Sequence, residues 1–460
     1  MSLDLSIEAL RQLYASVERL AEEHLATLDE RPITPRASGA ELEARLARPI
    51  PEEGVGLAVV DGLREIAAGS RAQNGRFLGY VLGSGEPAGA AADLLASVLN
   101  QNVTAWRSAP AGVTIERSLI AWLAGALGCA GFAGSLTGGG SSANMMGLAM
   151  AREARAPANE RGAAGGVVYA SREVHMSVGK AVALLGLGRE NLRLVPVDAA
   201  FRMRPDALER EIARDVEAGR VPVAVVATAG TVATGAIDPL AEIAGVARRH
   251  GAWLHVDGAY GALAALARPE KLEGLALADS LSLDAHKWLY QSVDCGCLLY
   301  RDRAAARRAF SHSGAYVQTS TEDPVEGFAF FDESMELSRR FRALRLWTAL
   351  QFHGAAAFRA AIARDLAHAQ RLAELVRREP RLELLAPVEL SAVCFRVRGE
   401  DADRRNAAVL AAVNRRGRVY LSNASLEGAF ALRACFVNHR TSDADVEAVV
   451  EEVLASADAS

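Results

Sequence analysis

Short apolar segments alternate with amphipathic helical segments between about residues 90 and 305. Six of the apolar segments predict strands: GVVYA, NLRLVPV, VPVAVVATAG, AWLHVDGA, SLSLDA and GCLLYR. The segments PDALEREIARDVEAG and DPLAEIAGVARRHG predict helices, and the second is expected to have Asp238 as its N-cap, Pro239 at its first position and Gly251 at its end. This alternation predicts a mainly parallel α/β sheet, whose ligands bind at the carboxyl ends of the strands.

The segments before and after this region have different patterns. The first thirty residues predict an amphipathic helix, because apolar side chains recur every three or four positions, at Ile7, Leu10, Tyr14, Val17, Leu20 and Leu25. Helices joined by extended linkers are too small for a core of their own, so we expect this segment to pack on something else, such as a second subunit.

The C-terminal part begins with a polar interruption at residues 311–330, which is either a mobile functional loop or disordered. A long helical segment follows it, and then strands and a final helix, which predicts a smaller α+β domain. We therefore expect an N-terminal helical segment at 1–72, a large domain at 73–344 and a small domain at 345–460.

Charge and cysteine content exclude several classes of protein. A net charge of −5 gives no electrostatic reason to expect nucleic acid or an anionic membrane as partner. The chain has neither the signal-peptide pattern nor an apolar stretch of the roughly 20 residues that a membrane span needs. Its five cysteines are dispersed, which favours buried thiols and a reducing compartment, and Cys295 and Cys297 lack histidine partners for zinc. We expect a cytoplasmic protein without a metal site.

Lysine is scarce in this chain. Lysine and arginine together number 51, but only Lys180, Lys271 and Lys287 are lysines. Arginine cannot form an imine, because its guanidinium does not become a free amine. Each remaining lysine is therefore a candidate for amine chemistry, although Lys271 lies in a polar helical stretch and Lys180 has no polar neighbours.

A glycine-rich turn comes before a predicted helix in TGGGSSANMMGLAMARE, residues 137–153. Glycines let backbone N–H groups approach an anion, and the start of a helix favours negative charge. The hydroxyls of Ser141 and Ser142 could add hydrogen bonds to a phosphate. The motif lacks the lysine of a P-loop and the third glycine of a dinucleotide fingerprint, so an ordinary tight turn is the alternative.

Polar side chains follow three of the predicted strands. Asp257 closes the strand AWLHVD, where a buried carboxylate needs a positive partner such as a protonated pyridine nitrogen; a metal ligand or a helix cap is the alternative. Lys287 and His286 follow the strand SLSLD, and a surface lysine is the ordinary reading there. His175 lies at a strand-to-helix turn, where its imidazole could stack on a flat ring or be structural.

Taken in order, these motifs resemble the pyridoxal phosphate (PLP)-dependent decarboxylases of aromatic amino acids, glutamate and histidine. The resemblance runs from about Phe77 to Asn438 and rests on these landmarks: RFLGYV, NQNVTAWRSAPAGVTIE, TGGGSSAN, VVATAGTVATGAID, WLHVDGAYG, LDAHKWLY, LSRRFRALRLW and LRACFVNHRT. It implies the aspartate-aminotransferase-like fold, with a seven-stranded sheet in the large domain. It also implies an obligate homodimer whose N-terminal segments embrace the partner and whose active sites are shared.

The resemblance implies a role for each motif. Lys287 is expected to bind PLP as a Schiff base, Asp257 to pair with the pyridine nitrogen and His175 to stack over the ring. The remaining cofactor-binding residues are expected to be Gly140, Ser141, Ser142, Thr228, Ala259, Asp284 and His286. Asp284 stands where the family often has asparagine.

The resemblance also assigns catalytic and substrate residues. Tyr316, in the polar loop, has the spacing from Lys287 of the family's loop tyrosine, which returns a proton after CO2 departs; phenylalanine there marks relatives that make aldehydes. Tyr80, Thr104 and Arg107 are expected to line the substrate pocket. Small residues where larger rings are common, Ala72 and Val81 among them, imply a wider pocket for aromatic or other bulky L-amino acids, or an acidic one if Arg107 points inward.

Three other functions fit parts of the pattern. Another PLP-dependent activity on the same fold, such as a lyase or an aminotransferase, uses the same lysine and aspartate, and an aminotransferase would yield a keto acid instead of CO2 and amine. A non-catalytic PLP-binding protein would not need all of Lys287, Asp257, His175 and Tyr316. An NAD-dependent oxidoreductase is disfavoured by the glycine pattern.

Overall fold

The large sheet forms the centre of the molecule. The computed structural model describes residues 3–162, 165–312 and 323–459. Seven strands make up the large sheet: β1 (Ala133–Thr137), β2 (Val167–Ser171), β3 (Leu192–Val195), β4 (Pro222–Thr228), β5 (Trp253–Asp257), β6 (Ser280–Asp284) and β7 (Gly296–Tyr300). The six segments predicted as strands all form strands, whereas β1 was not predicted.

The sheet is parallel apart from one strand. Its order is β1-β7-β6-β5-β4-β2-β3, and β7 pairs antiparallel with both β1 and β6. Every residue of β2, β5, β6 and β7 is buried, because helices cover both faces of a sheet built from strand–helix–strand units. The predicted α/β class with a mainly parallel seven-stranded sheet is confirmed.

Helices surround this sheet and precede it in the chain. The N-terminal helices are α1 (Ile7–Ala26), α2 (Gly39–Leu46) and α3 (Val59–Gly69). The helices of the sheet region are α4 (Pro87–Leu99), α5 (Pro110–Ala126), α6 (Gly140–Arg155), α7 (Met176–Leu184), α8 (Pro205–Glu217), α9 (Leu240–Arg249), α10 (Ala285–Trp288) and α11 (Arg303–Phe310).

The start of α9 differs from the sequence prediction. Asp238 does not cap this helix; Pro239 is its N-cap residue and Leu240 its first residue. The carboxylate of Asp238 is buried and instead accepts hydrogen bonds from the backbone N–H groups of Met203 (2.6 Å) and Thr228 (2.8 Å). Burial raises the pKa of Asp238 to about 6. The prediction was wrong because it considered only neighbours along the chain. The carboxylate instead accepts hydrogen bonds from backbone N–H groups of distant segments, one of them at the end of β4.

A second, smaller sheet lies near the C-terminus. The long helix α12 (Arg342–Arg378), which has a non-helical residue at Gly354, leads into β8 (Leu382–Leu384), β9 (Ala392–Val397), α13 (Ala402–Arg416), β10 (Ser422–Leu426), β11 (Ala429–Cys435) and α14 (Asp443–Asp458). The order of this antiparallel sheet is β10-β11-β9-β8, and its apolar core is separate from that of the large sheet. The predicted small α+β unit is therefore present, and its boundary at residue 345 remains a prediction.

The N-terminal helices contribute nothing to either core. None of the residues in α1, α2 and α3 is buried. The five cysteines are buried and free, with no disulfide between them. In the part of the chain that the structure describes, no helix has both the length and the apolar character that a membrane crossing requires.

The start of β7 packs directly against the glycine turn that precedes α6. A Cβ added at Gly296 would lie 2.5 Å from the Cα of Gly139 and 2.7 Å from its backbone N and C atoms. Because these neighbours are backbone atoms, no change of side-chain rotamer can relieve the contact. Glycine at position 296 therefore sets how closely the turn approaches the sheet.

We predict that Gly296→Ala lowers the thermal midpoint of unfolding, because overpacking at such a contact costs about 1–3 kcal/mol. The matched control is Gly125→Ala in α5, where an added Cβ meets nothing within 4 Å. That change should leave the midpoint unaltered or raise it, since alanine is favoured over glycine within helices. Calorimetry of both variants checks this, and equal midpoints for Gly296→Ala and the wild type would contradict the packing argument.

Candidate active site

A cavity of about 250 Å³ opens at one edge of the large sheet, where several parallel strands end. Asp257 is the last residue of β5 and Thr228 is the last residue of β4. Lys287 lies in α10, directly after β6, and His175 is the N-cap of α7, four residues after β2. The side chains that the sequence predicted to act together therefore meet at the carboxyl ends of the strands.

The glycine turn lies at the start of α6. Gly139 is the N-cap residue with φ +112°, a conformation that side-chain-bearing residues rarely adopt. A Cβ at Gly140 would lie 2.7 Å from the Cβ of Ala259 and 3.0 Å from Oδ2 of Asp284. The N–H groups of a helix's first turn have no partner within the helix. The turn therefore presents backbone donors to the cavity, as an anion site requires.

Asp257 is a buried carboxylate with three hydrogen-bond donors. Its Oδ2 accepts from Asn144 Nδ2 (2.8 Å), and its Oδ1 accepts from the Ala259 N–H (3.2 Å) and from Ser282 Oγ (3.2 Å). The side chain is oriented by three different parts of the fold: helix α6, strand β6 and its own turn. Donors of this kind stabilise a carboxylate where water is excluded.

Lys287 extends into the cavity from a rigid turn. Its Nζ lies 3.2 Å from Oδ2 of Asp284, and only 15% of its side chain is exposed. The neighbouring Trp288 is fully buried, stacks on Tyr260 with ring centroids 5.9 Å apart, and donates its indole N–H to the Tyr260 carbonyl. Tyr260 in turn hydrogen bonds to Ser391 of the small sheet region through its hydroxyl (2.8 Å).

The other two lysines lie elsewhere. Lys180 is exposed on α7, and Lys271 forms a half-exposed ion pair with Glu389 (3.4 Å). Of the three lysines, only Lys287 lines the cavity.

Two histidines border the cavity. Burial lowers the pKa of His175 below its ordinary value and does the same to the pKa of His286, since an imidazolium is penalised away from water. Nδ1 of His175 is 2.8 Å from Ser177 Oγ, and Nε2 of His286 is 3.6 Å from Oδ2 of Asp284. Both rings are therefore held as neutral groups near pH 7.

The polar atoms that line the cavity fit the functional groups of PLP. Thr228 Oγ1 and Asp284 Oδ1 are buried without a hydrogen-bond partner among the described residues, and both residues line the cavity. Buried polar atoms of this kind normally have a partner, so a polar ligand is expected to supply one. A lysine amine can hold an aldehyde, the glycine turn can hold a phosphate, and a carboxylate can accept from a pyridine N–H. No group of three or more His, Cys, Asp or Glu side chains able to hold a metal occurs in residues 3–162, 165–312 and 323–459.

Nine of the ten predicted cofactor residues line the cavity: Gly140, Ser141, His175, Thr228, Asp257, Ala259, Asp284, His286 and Lys287. Ser142, the tenth, lies in the first turn of α6 but outside the lining. The predicted substrate residues Tyr80, Thr104 and Arg107 are also outside the lining. Tyr316 lies outside the described residues.

Seven further residues line the cavity: Gly138 and Gly139, which belong to the predicted glycine turn, and Asn144, Gly230, Val232, Tyr260 and Val293, which were not predicted. A signal for Asn144 was present in the sequence. It lies four positions after Gly140, so the two residues share one face of α6. The signal was missed because the motif was interpreted as a phosphate turn alone.

The fold and these residues define a class of enzyme that holds an aldehyde cofactor on a lysine at the edge of an α/β sheet. Comparison with known sequences agrees: residues 63–398 match the model of the pyridoxal-dependent decarboxylase conserved domain. An aromatic-L-amino-acid decarboxylase of Bacillus atrophaeus is 33% identical over an alignment 476 residues long, gaps included. The alignment covers 99% of this chain and 97% of that protein. A phenylacetaldehyde synthase of Petunia hybrida is 30% identical over 454 residues, which cover 93% of this chain and 89% of that protein.

A comparison of structures gives the same answer. The Oryza sativa TDC solved with PLP and tryptamine has a TM-score of 0.93 and 28% sequence identity, and the match covers 100% of this chain and 99% of that one. The chain belongs to the pyridoxal-dependent decarboxylase family. It is a PLP-dependent carboxy-lyase that acts on amino acids.

Proposed function

We propose that this enzyme converts an aromatic or other bulky L-amino acid into the corresponding amine and CO2. The observation that carries the proposal is the presence of Lys287 and Asp257 in one cavity beside the glycine turn of α6. The names of the relatives support the substrate class, since one is an aromatic-L-amino-acid decarboxylase and the Oryza sativa structure holds tryptamine, the amine of an aromatic amino acid.

Each cavity residue is assigned a role from its position in the site. Bound PLP supplies an electron sink for the charge that a departing carboxylate leaves behind. We assign to Lys287 the covalent attachment of PLP; its amine would hold the cofactor aldehyde and would be freed when a substrate amine takes its place. Asp257 would accept a hydrogen bond from the pyridine nitrogen of the bound cofactor, and His175 would lie against the face of its ring. The hydrogen bonds from Asn144, Ala259 and Ser282 hold the Asp257 carboxylate in place beside the cavity.

The phosphate is assigned to the start of α6. The N–H groups of Gly140, Ser141 and Ser142 point along the axis at the positive end of the helix dipole. The hydroxyl of Thr228, which is buried without a partner among the described residues, and the Ala259 backbone complete the cofactor set. Asp284 and His286 stay beside Lys287, with Asp284 as the counterion of the free amine.

Tyr316 is proposed to return a proton to the substrate α-carbon after CO2 departs. It belongs to the polar segment between α11 and α12, which we propose acts as a lid that limits access of water. A tyrosine at this position favours amine formation over the aldehyde chemistry for which the Petunia hybrida relative is named.

The substrate pocket is assigned to Tyr80, Thr104 and Arg107. The hydroxyl of Tyr80 is 2.9 Å from that of Tyr420, and the ring is half exposed. Arg433 links this region to the cavity, since its guanidinium donates to the carbonyls of Gly79 (3.0 Å) and Val232 (2.6 Å), and Val232 lines the cavity. Arg107 is exposed in the single chain.

The enzyme is proposed to act in the cytoplasm as a homodimer with shared active sites. The N-terminal segment, 1–72, bears many exposed apolar side chains, among them Leu5, Ile7, Val17, Leu25, Leu46, Ile50, Val55, Leu57, Val59 and Ile66. A partner subunit that covers them would remove a large apolar area from water. Thr104 and Arg107 do not line the cavity of their own chain. In a dimer with shared active sites, they would contribute to the cavity of the partner subunit. Five free thiols favour a reducing compartment.

Incubation of the holoenzyme with single L-amino acids tests the substrate class. We expect CO2 and amine in equal amounts from tryptophan, phenylalanine or tyrosine. Release of a keto acid instead of CO2 would identify an aminotransferase. Preference for glutamate that Arg107→Ala abolishes would replace the aromatic proposal by the acidic one, and strict preference for a small neutral amino acid would contradict both.

We predict that Tyr316→Phe keeps bound PLP but loses amine formation by about 100-fold or more, the scale of a lost general acid. Aldehyde should form instead, with one O2 and one water consumed and one CO2, one ammonia and one H2O2 released per amino acid. Peroxide and amine assays check this. Tyr169→Phe is the control, because it removes a hydroxyl that bonds to Asp215 (3.0 Å) and lies outside the cavity lining. Unchanged amine output from Tyr316→Phe would refute the loop assignment.

A further inference from the structure

A chain of buried hydrogen bonds runs from the far side of β5 to Asp257. Trp253 Nε1 donates to Ser280 Oγ (2.8 Å), which lies 2.8 Å from His255 Nδ1. Nε2 of His255 is 3.0 Å from Asn144 Oδ1, and Nδ2 of Asn144 donates to Asp257 Oδ2 (2.8 Å). All five residues are at most 5% exposed. The chain therefore operates away from water, where an unpaired polar group is costly.

The two ends of this chain fix its direction. The Trp253 indole can only donate, and the Asp257 carboxylate can only accept. Because the Asn144 amide nitrogen donates to Asp257, the Asn144 oxygen must accept from Nε2–H of His255. When His255 is neutral, its Nδ1 carries no proton and accepts from the Ser280 hydroxyl. This arrangement requires a neutral His255 with its proton on Nε2. Burial agrees, since it lowers the pKa of His255 to about 4.

Asn144 also begins a second chain of hydrogen bonds, which leads to His175. Its Nδ2 donates to Ser177 Oγ (3.0 Å), which is 2.8 Å from His175 Nδ1. The Ser177 N–H points at the same Nδ1 (3.3 Å), so this nitrogen is an acceptor and the Ser177 hydroxyl donates to it. His175 is thus held neutral with its proton on Nε2. One amide, that of Asn144, supplies donors toward both Asp257 and His175.

Packing fixes Asn144 in register with β5. One turn further along α6, a Cβ at Gly147 would lie 2.5 Å from Nδ1 of His255. Glycine at this position lets the helix lie directly on the imidazole. The helix that begins at the glycine turn is therefore locked to the strand that ends at Asp257.

We propose that Asn144 is a positioning residue that holds the Asp257 carboxylate in place as the acceptor for the cofactor's ring nitrogen and, through Ser177, sets the tautomer of His175. The proposal rests on the roles assigned above to Asp257 and His175. It does not depend on which amino acid is the substrate. The role depends on the amide: an ionised aspartate in place of Asn144 keeps the size and the acceptor for His255 but has no proton to donate to Asp257.

Asn144→Asp creates two carboxylates at hydrogen-bond distance, which cannot both stay ionised and so share one proton. The charged and titratable groups around the pair are His175, His255, Asp284 and Lys287. A proton shared with Asp257 reduces the negative charge that its carboxylate can offer to the cofactor nitrogen. Asn144→Leu instead removes both donors without adding a charge, so it introduces no new titrating group.

The experiment measures PLP binding to the apoenzyme by equilibrium dialysis and the visible absorbance of bound PLP from pH 5 to 9, without substrate. Both Asn144 variants should weaken PLP binding about tenfold or more, the effect of losing a hydrogen bond to a charged group. Only Asn144→Asp should add a pH-dependent change in absorbance that the wild type lacks. If Asn144→Asp does not fold, Asn144→Leu alone tests the loss of affinity.

Asn406 provides the matched control. It is an equally buried asparagine of the small domain, where it bonds to the backbone N–H and carbonyl of Val397. Asn406→Asp and Asn406→Leu should lower thermal stability but leave PLP affinity and the pH profile as in the wild type. The proposal is overturned if PLP affinity in the Asn144 variants stays within twofold of the wild type, or if the Asn406 variants change the pH profile equally. These measurements use no substrate, so an amino-acid panel that contradicts the proposed substrate class would not affect them. The two proposals can therefore be refuted independently.

Discussion

A buried carboxylate at the end of a central strand is the constraint on which the rest of this site depends. Removing a charge from water costs several kcal/mol unless hydrogen bonds and an opposite charge compensate. Asp257 has donors from Asn144, Ser282 and the Ala259 backbone, which belong to three separate parts of the fold. What these donors do not supply is a cation, and a protonated pyridine nitrogen is a ligand that does. The site is thus built to be completed by its cofactor.

The parallel sheet brings the other groups to the same place. The strands end at one edge, so the turns after β1, β2, β4, β5 and β6 all face the cavity. Close contacts that only glycine permits hold these turns together, at Gly296 against Gly139 and at Gly147 against His255. Aromatic stacking of Trp288 on Tyr260 then connects the lysine turn to the aspartate turn. The fold determines the distances, and the turn residues supply the chemistry.

The sequence predicted the parts that depend on strand ends and failed where distant segments meet. Asp257 and Lys287 could be predicted to share a site because Asp257 ends one apolar strand and Lys287 follows another, and the two strands are neighbours in the sheet. Asp238 was misassigned as a helix cap because its partners, Met203 and Thr228, are reached only through the tertiary fold. The link between Asn144 and β5 depends on how α6 lies on the sheet, which no local pattern encodes. The role of Arg107 remains a prediction, because it depends on contacts with a partner subunit that no local pattern encodes.

Of the three lysines, Lys287 is the one proposed to carry the cofactor. Reduction of the holoenzyme with sodium borohydride, followed by proteolysis and mass spectrometry, tests it most directly, because reduction makes the lysine–PLP bond permanent. We expect a phosphopyridoxyl adduct on the peptide that contains Lys287, and unmodified peptides for Lys180 and Lys271. An adduct on Lys180 or Lys271 in place of Lys287, or no adduct on a protein that retains PLP, would contradict it.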